Sequence, residues 1–156
     1  MTTLIRTMPE LLEVGRYPFH YRLPTRYADI DPNGHINNVA FAAAFEDARC
    51  RFDHAHGVRL IEPKMAVLVA AHYIDYLAEA HYPAPIDLHV GVWTVGRSSW
   101  TLASLAMQGD KACAFSRVVL VSVSEGRARG LSDPVRATLE TMRVVGVAVP
   151  VDGERA

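Results

Sequence analysis

Cysteine is scarce in this chain. Cys50 and Cys113 are the only two, and they share neither a CxxC nor a metal-ligand spacing. That excludes a disulfide framework and a zinc-ribbon type of centre, and it reads as two reduced thiols in a cytosolic setting. Long apolar runs are absent too: no window reaches the roughly 18 residues that span a membrane. The N-terminus has no basic stretch leading into an apolar run and a cleavage site. Charge of one sign is missing as well. Sixteen Lys and Arg residues face seventeen Asp and Glu for a net charge of −1, and the basic residues are scattered. A nucleic-acid surface needs a concentrated basic face, so no nucleic-acid partner is expected. A small basic patch for a phosphorylated ligand remains open. The reading is a soluble, cytoplasmic protein with no membrane partner.

What is present is apolar. Half of the 156 residues are hydrophobic, enough to bury a core without staples. No linker, repeat or low-complexity segment interrupts the chain. One domain over residues 1–156 is expected, its core at about 17–140. Residues 1–16 read as a lead-in without clear period. From Tyr17 to Leu23 apolar and polar residues alternate at the strand period, with Pro18 at the start and Pro24 at the end. From about Asn38 to His56 the pattern is helical. Alanine dominates, Phe41, Phe45 and Phe52 define one face, and Gly57 is a plausible stop. Glu46 with Arg49 and Asp47 with Arg51 are helix-spaced ion pairs. Four extended segments follow: Met65 to Tyr76, Ile86 to Val95, Ser98 to Met107 and Ala112 to Val123. Between the last three lie hairpin signals at Gly96-Arg97-Ser98 and Gln108-Gly109-Asp110-Lys111. Gly126 to Gly130 reads as a polar, basic turn. Ser132-Asp133-Pro134 starts a short helix through about Met142, and the tail from Gly146 has no assignment. One buried helix against an antiparallel sheet of about five strands is an α+β layout. It leaves open sheet edges and one bare face, which a second copy would cover.

Polar chemistry is concentrated in residues 25–38, Thr25-Arg26-Tyr27-Ala28-Asp29-Ile30-Asp31-Pro32-Asn33-Gly34-His35-Ile36-Asn37-Asn38. Asp31-Pro32-Asn33-Gly34 is turn chemistry, and Asn37 or Asn38 is placed to cap the helix that follows. The stretch therefore brings acids, an amide and a histidine to a helix N-terminus. Such an end offers unpaired amides and a partial positive charge.

This run, followed by a helix carrying Glu46 and Arg49, resembles the hotdog-fold acyl-CoA thioesterases of the 4-hydroxybenzoyl-CoA thioesterase type. Ile74-Asp75-Tyr76-Leu77 and Gly96-Arg97-Ser98-Ser99 look like the same family. The resemblance implies a sheet wrapped around one central helix. It implies Asp31 as general base or nucleophile, and the backbone amide at Asn38 or its neighbour as the group that polarises the thioester carbonyl. Asn33 and His35 match the Asp-x-Asn-x-His arrangement of the plant acyl-carrier-protein thioesterases. Glu46 is the further catalytic candidate, and Arg97, Ser98 and Ser99 are the substrate-binding ones. Two departures stand out. Phe41 occupies a place where many relatives carry tyrosine, and the fourth strand offers no obvious partner acid. The implied substrate is an acyl-CoA or acyl-carrier-protein thioester, with CoA as part of the substrate and no cofactor or metal. The implied assembly is a homodimer or a dimer-of-dimers tetramer.

The chemistry suits these residues. Thioester hydrolysis needs a carboxylate to activate water or to attack, and amides to hold the oxyanion. Other histidines read as bland. His54 and His56 are two apart on a helix and point to different sides, while His72, His81 and His89 are isolated. Arg97, Arg127 and Arg129 sit in turns where guanidinium groups suit phosphate. Two other classes remain open: a non-catalytic acyl-thioester binding domain, and a hotdog hydratase or dehydratase.

Overall fold

The alanine-rich segment forms helix α1 (Asn38–His56) in the computed structural model, which describes residues 8–148, the side chains of Arg59 and Leu60 excepted. Gly57 ends it in the left-handed region at φ 64, a geometry that glycine adopts without strain. Phe41, Ala44, Phe45, Ala48, Arg49, Phe52 and Asp53 are its buried positions. They recur at three and four residues and so define one face.

That face is wrapped by a sheet of six strands: β1 (Phe19–Leu23), β2 (Ala66–Tyr76), β3 (Ile86–Val95), β4 (Ser99–Gln108), β5 (Lys111–Ser124) and β6 (Arg127–Ala128). The spatial order is β1-β3-β4-β5-β2, with β6 beside β5, and every pairing is antiparallel. Phe45 and Phe52 pack with Leu88, Leu102 and Leu120 between helix and sheet. One long helix held in an antiparallel sheet is the hotdog fold. The stretch read as a basic turn holds β6, a two-residue strand in which Arg127 and Ala128 pair with Ser124 and Val123. A short helix α2 (Val58–Ile61) follows Gly57, and α3 (Asp133–Thr141) follows Ser132. Among the described residues no helix is long and apolar enough to cross a membrane.

The other sheet face differs from expectation: it is not bare. The lead-in folds as two 3-10 turns (Pro9–Leu12 and Val14–Arg16) that bring Leu11 and Tyr17 against Trp93, Leu105, Phe115 and Val144. The Tyr17 hydroxyl donates to the Leu11 carbonyl at 2.6 Å. After α3 the chain returns along β3, where the Val92 amide donates to Met142 O at 2.8 Å and the Val144 amide to Val92 O at 2.9 Å. Gly91 makes this cover possible. A Cβ there would stand 2.8 Å from both Pro18 Cδ and Val144 Cγ2. Residues 1–7 and 149–156, including most of the unassigned tail, lie outside the described residues.

Outside this cover, Asp87 on β3 ties β1 down. It accepts from His20 at 2.7 Å and from Arg22 at 2.9 and 2.8 Å. Arg22 above all, then His20, outweighs the burial of Asp87 and lowers its pKa to about 2.

Two outcomes are expected. Gly91→Ala should cost about 1–3 kcal/mol by overpacking, read as a drop in the urea midpoint. Asp87→Asn should destabilise at neutral pH. A depressed carboxylate contributes stability above its unfolded pKa near 4, and that stability is lost as pH falls through its folded value. The gap between the thermal midpoints of wild type and Asp87→Asn should therefore close between about pH 4 and pH 2.

Candidate active site

The polar stretch forms a closed turn. The Asp31 amide donates to His35 O at 2.8 Å, the Gly34 amide donates to Asp31 O at 3.0 Å, and Ile30 and Ile36 form an antiparallel bridge. The two acids of the run have separate jobs. Asp29 is buried and locked to Arg26, whose guanidinium lies 2.7 Å from its Oδ1 and whose amide donates to Oδ2 at 2.8 Å. The Arg26 side chain holds the Asp29 carboxyl below its usual range. Asp31 instead lies at the surface of the turn. Its Oδ1 accepts from the Asn33 amide at 2.8 Å and the His35 amide at 3.2 Å, and its Oδ2 accepts from Asn33 Nδ2 at 3.4 Å. The His35 amide first, then the Asn33 donors, lower its pKa. Asp31 is ionised at neutral pH.

The helix start is settled as well. The Asn37 amide donates to Asp29 O at 2.9 Å, and the Asn37 side chain accepts from the Ala40 amide at 2.7 Å. Of the two asparagines, Asn37 is the cap. The amides of Asn38 and Val39 then have no acceptor within the helix, and both residues are exposed. The Asn38 carbonyl accepts from the Tyr76 hydroxyl at 3.3 Å. Phe41 stacks edge-on to that ring at 6.0 Å, so a tyrosine hydroxyl does reach the helix start, from β2 rather than from position 41.

Asn33, His35 and Asn38 thus share one junction with Asp31. Glu46 lies further along α1, exposed and paired with Arg49, whose guanidinium is buried and 3.8 Å from Asp53. His72 on β2 faces the same helix surface, with its ring 6.5 Å from Phe45 and its Nε2 2.8 Å from Ser116 Oγ. Burial, opposed by the charge of Glu46, lowers the His72 pKa and favours the neutral ring. Arg97, Ser98 and Ser99 lie elsewhere. Their carbonyls accept from Leu131, Ser122 and Gly96 respectively, at the turn after β3. The polar loop joins the sheet at the opposite end of that strand, where Leu23 pairs with Ile86. A strand of 10 residues spans about 30 Å, so one chain does not bring the two groups together.

Sequence reasoning missed three neighbours. Tyr76 stood in a segment already singled out, but nothing assigned its hydroxyl a place. Glu79 and His81 carried no signal, yet His35 Nε2 lies 3.3 Å from Glu79 Oε2, and the rings of His35 and His81 meet edge-on at 5.1 Å. Of the helix histidines, His56 hydrogen-bonds Phe52 O at 2.9 Å while His54 is exposed, so they do point apart. A cleft of about 470 Å³ between β1 and α1, lined by Tyr21, Cys50, Arg51 and His54 among others, contains none of the predicted site residues.

A hotdog fold with an ionised aspartate in the turn before its central helix defines a class. Residues 25–145 match the thioesterase-like superfamily, and the chain belongs to it. The YsmA protein of Bacillus subtilis (strain 168) is 28% identical over 127 residues, which are 79% of this chain and 86% of that one. A thioesterase from Thermus thermophilus, solved with coenzyme A and zinc, superposes at a TM-score of 0.72 with 28% identity over 81% of this chain and 95% of its own. The PA5185 protein of Pseudomonas aeruginosa strain PAO1 gives 0.73 with 25% identity over 84% and 95%.

The cap yields a test. Asn37→Ala should cost about 1 kcal/mol and Asn37→Asp much less. Urea midpoints of the two variants check this, and equal losses would remove the cap from the account.

Proposed function

We propose that this protein hydrolyses an acyl-CoA thioester to the free acid and CoA. One observation carries the reading: an ionised Asp31 and the amides of Asn38 and Val39, which have no acceptor within their helix, belong to the same loop–helix junction. In the general-base route Asp31 takes a proton from water as its oxygen attacks the carbonyl carbon. The carbonyl becomes an oxyanion held by the helix-start amides, the C–S bond breaks, and the CoA thiolate takes up a proton. In the nucleophilic route the Asp31 carboxylate attacks the carbonyl carbon and the C–S bond breaks with loss of the CoA thiolate. Water then cleaves the mixed anhydride, regenerating Asp31, releasing the free acid and supplying the proton that the thiolate takes up. Among the described residues Oδ2 accepts only the 3.4 Å bond from Asn33, which supports it as the atom presented to water or substrate. Asn33 and His35 orient that carboxylate, and Glu46, beside His72, is the further acid. No cofactor is required, because CoA arrives with the substrate and leaves as product.

The distance between Asp31 and the Arg97–Ser99 turn favours an assembled site, in which Arg97, Ser98 and Ser99 of one copy serve the junction of another. The free edge of β2 supports a homodimer or a dimer of dimers. Its Leu68, Val69, Tyr73 and Tyr76 are 56%, 48%, 47% and 52% exposed, an apolar edge that a second copy would cover. An acyl-carrier-protein thioester would suit the same junction. A binding domain without turnover is the second reading, favoured by the use of the Asp31 carboxylate to close its own turn.

Thiol release from a panel of acyl-CoAs separates them. An enzyme-only blank is needed because Cys50 is exposed. Asp31→Asn keeps an Oδ1 for the two amide bonds, so the turn is preserved. The variant should lose on the order of a hundredfold or more in kcat. Unchanged turnover would remove Asp31 from the reaction, and binding of an acyl-CoA without any thiol release would favour the binding domain.

A further inference from the structure

We propose that His35, Glu79 and His81 form a binding site for a divalent transition-metal ion of the zinc class. Spacing along the chain offers no reason to expect a metal, because His35 stands far from the other two. The fold brings one ligating atom of each within 4.8 Å of the other two. His35 Nε2 lies 3.3 Å and His81 Nε2 4.0 Å from Glu79 Oε2. Four-coordinate zinc with bonds of about 2.0–2.1 Å sets its ligand atoms about 3.3 Å apart. The first distance already meets that, and the other two separations would close on the ion from within 4.8 Å. Two imidazoles and one carboxylate are a zinc donor set with a fourth position open, whereas magnesium and calcium favour oxygen alone.

The backbone beneath the three residues is fixed. The Ile36 amide donates to Ala80 O at 2.8 Å, joining the two segments between their ligand residues. Ala80 is fully buried, while Glu79 and His81 on either side of it are exposed. Gln108, at the end of β4, clamps the loop. Its Oε1 accepts from the His81 amide at 2.9 Å, and its Nε2 donates to His81 O and Ala84 O, each at 2.9 Å. On the other side the His35 amide is held by Asp31 Oδ1 at 3.2 Å. Main-chain anchoring of this kind keeps the entropic cost of assembling ligands low.

The site does not rest on the hydrolase reading, and its test needs no substrate. The metal-stripped full chain is titrated with Zn²⁺ against a chromophoric chelator, alongside Glu79→Gln, His81→Ala and Cys50→Ser. The last variant controls for zinc held by the exposed thiol of Cys50. Loss of an outer-shell partner alone costs on the order of 10–100-fold in metal affinity. Wild type and Cys50→Ser should bind one equivalent, and each of the other two should weaken binding by at least about tenfold with an unchanged far-ultraviolet dichroism spectrum. Substituted Co²⁺ should give the intense visible bands of a tetrahedral site without a thiolate charge-transfer band. No zinc bound by wild type, binding lost in Cys50→Ser, or binding unweakened in either Glu79→Gln or His81→Ala would each overturn the proposal.

Discussion

The structure depends on a helix that must be buried along its body and open at its start. Alanine at positions 44 and 48 lets the α1 backbone approach the strands, and Phe45 and Phe52 fill the space beside them. The same face carries Arg49 and Asp53 into the core, each side chain only 8% exposed. Such a pair contributes little net stability, because desolvation offsets the attraction, but removing one partner would leave a buried charge.

With the body fixed, the helix start can be exposed only where the polar loop leaves β1. That loop spends most of its polar groups on itself. Asp29 holds Arg26 and the Asn37 amide, Asp31 closes its own turn, and Asn37 caps the helix. What is left over among the described residues is small: a carboxylate oxygen that accepts only the long 3.4 Å bond from Asn33, and two amides with no acceptor within their own helix. A rigid scaffold with a few unsatisfied groups is the arrangement that binding and catalysis require.

Much of this was legible from local pattern. The limits of α1, the stop at Gly57, the start of α3 after Ser132 and the strands β3 to β5 follow from capping chemistry and period, which act over a few residues. The covered outer face was not legible. Along β3, Ile86, Leu88, Val90 and Val92 alternate with Asp87, His89, Gly91 and Trp93, so Trp93 falls on the polar side, and its burial depends on Leu11, Tyr17 and Val144, which come from the two ends of the described chain. Gly91 likewise gave no hint that Pro18 and Val144 press on it. The junction Asp31 to Asn38 could be read because its parts are contiguous. Tyr76, Glu79 and His81 reach it only through the crossover that sets β2 at the sheet edge. The position of the Arg97–Ser99 turn was equally hidden, since spacing says nothing about which end of a sheet a hairpin occupies.

The strand order has a consequence for how the chain is made. Both edge strands, β1 and β2, are synthesised first, and the central strands they pair with come last: Phe19 waits for Val90, and Ala66 for Val123. During translation α1 and β2 are therefore exposed with no sheet to receive them. The fold closes only when β5 leaves the ribosome. Long-range pairing of this kind is slow, and it leaves the apolar edge of β2 without a partner while the chain is still growing. For this protein the vulnerable state is the nascent chain ending between β2 and β5, where chaperone demand would be highest.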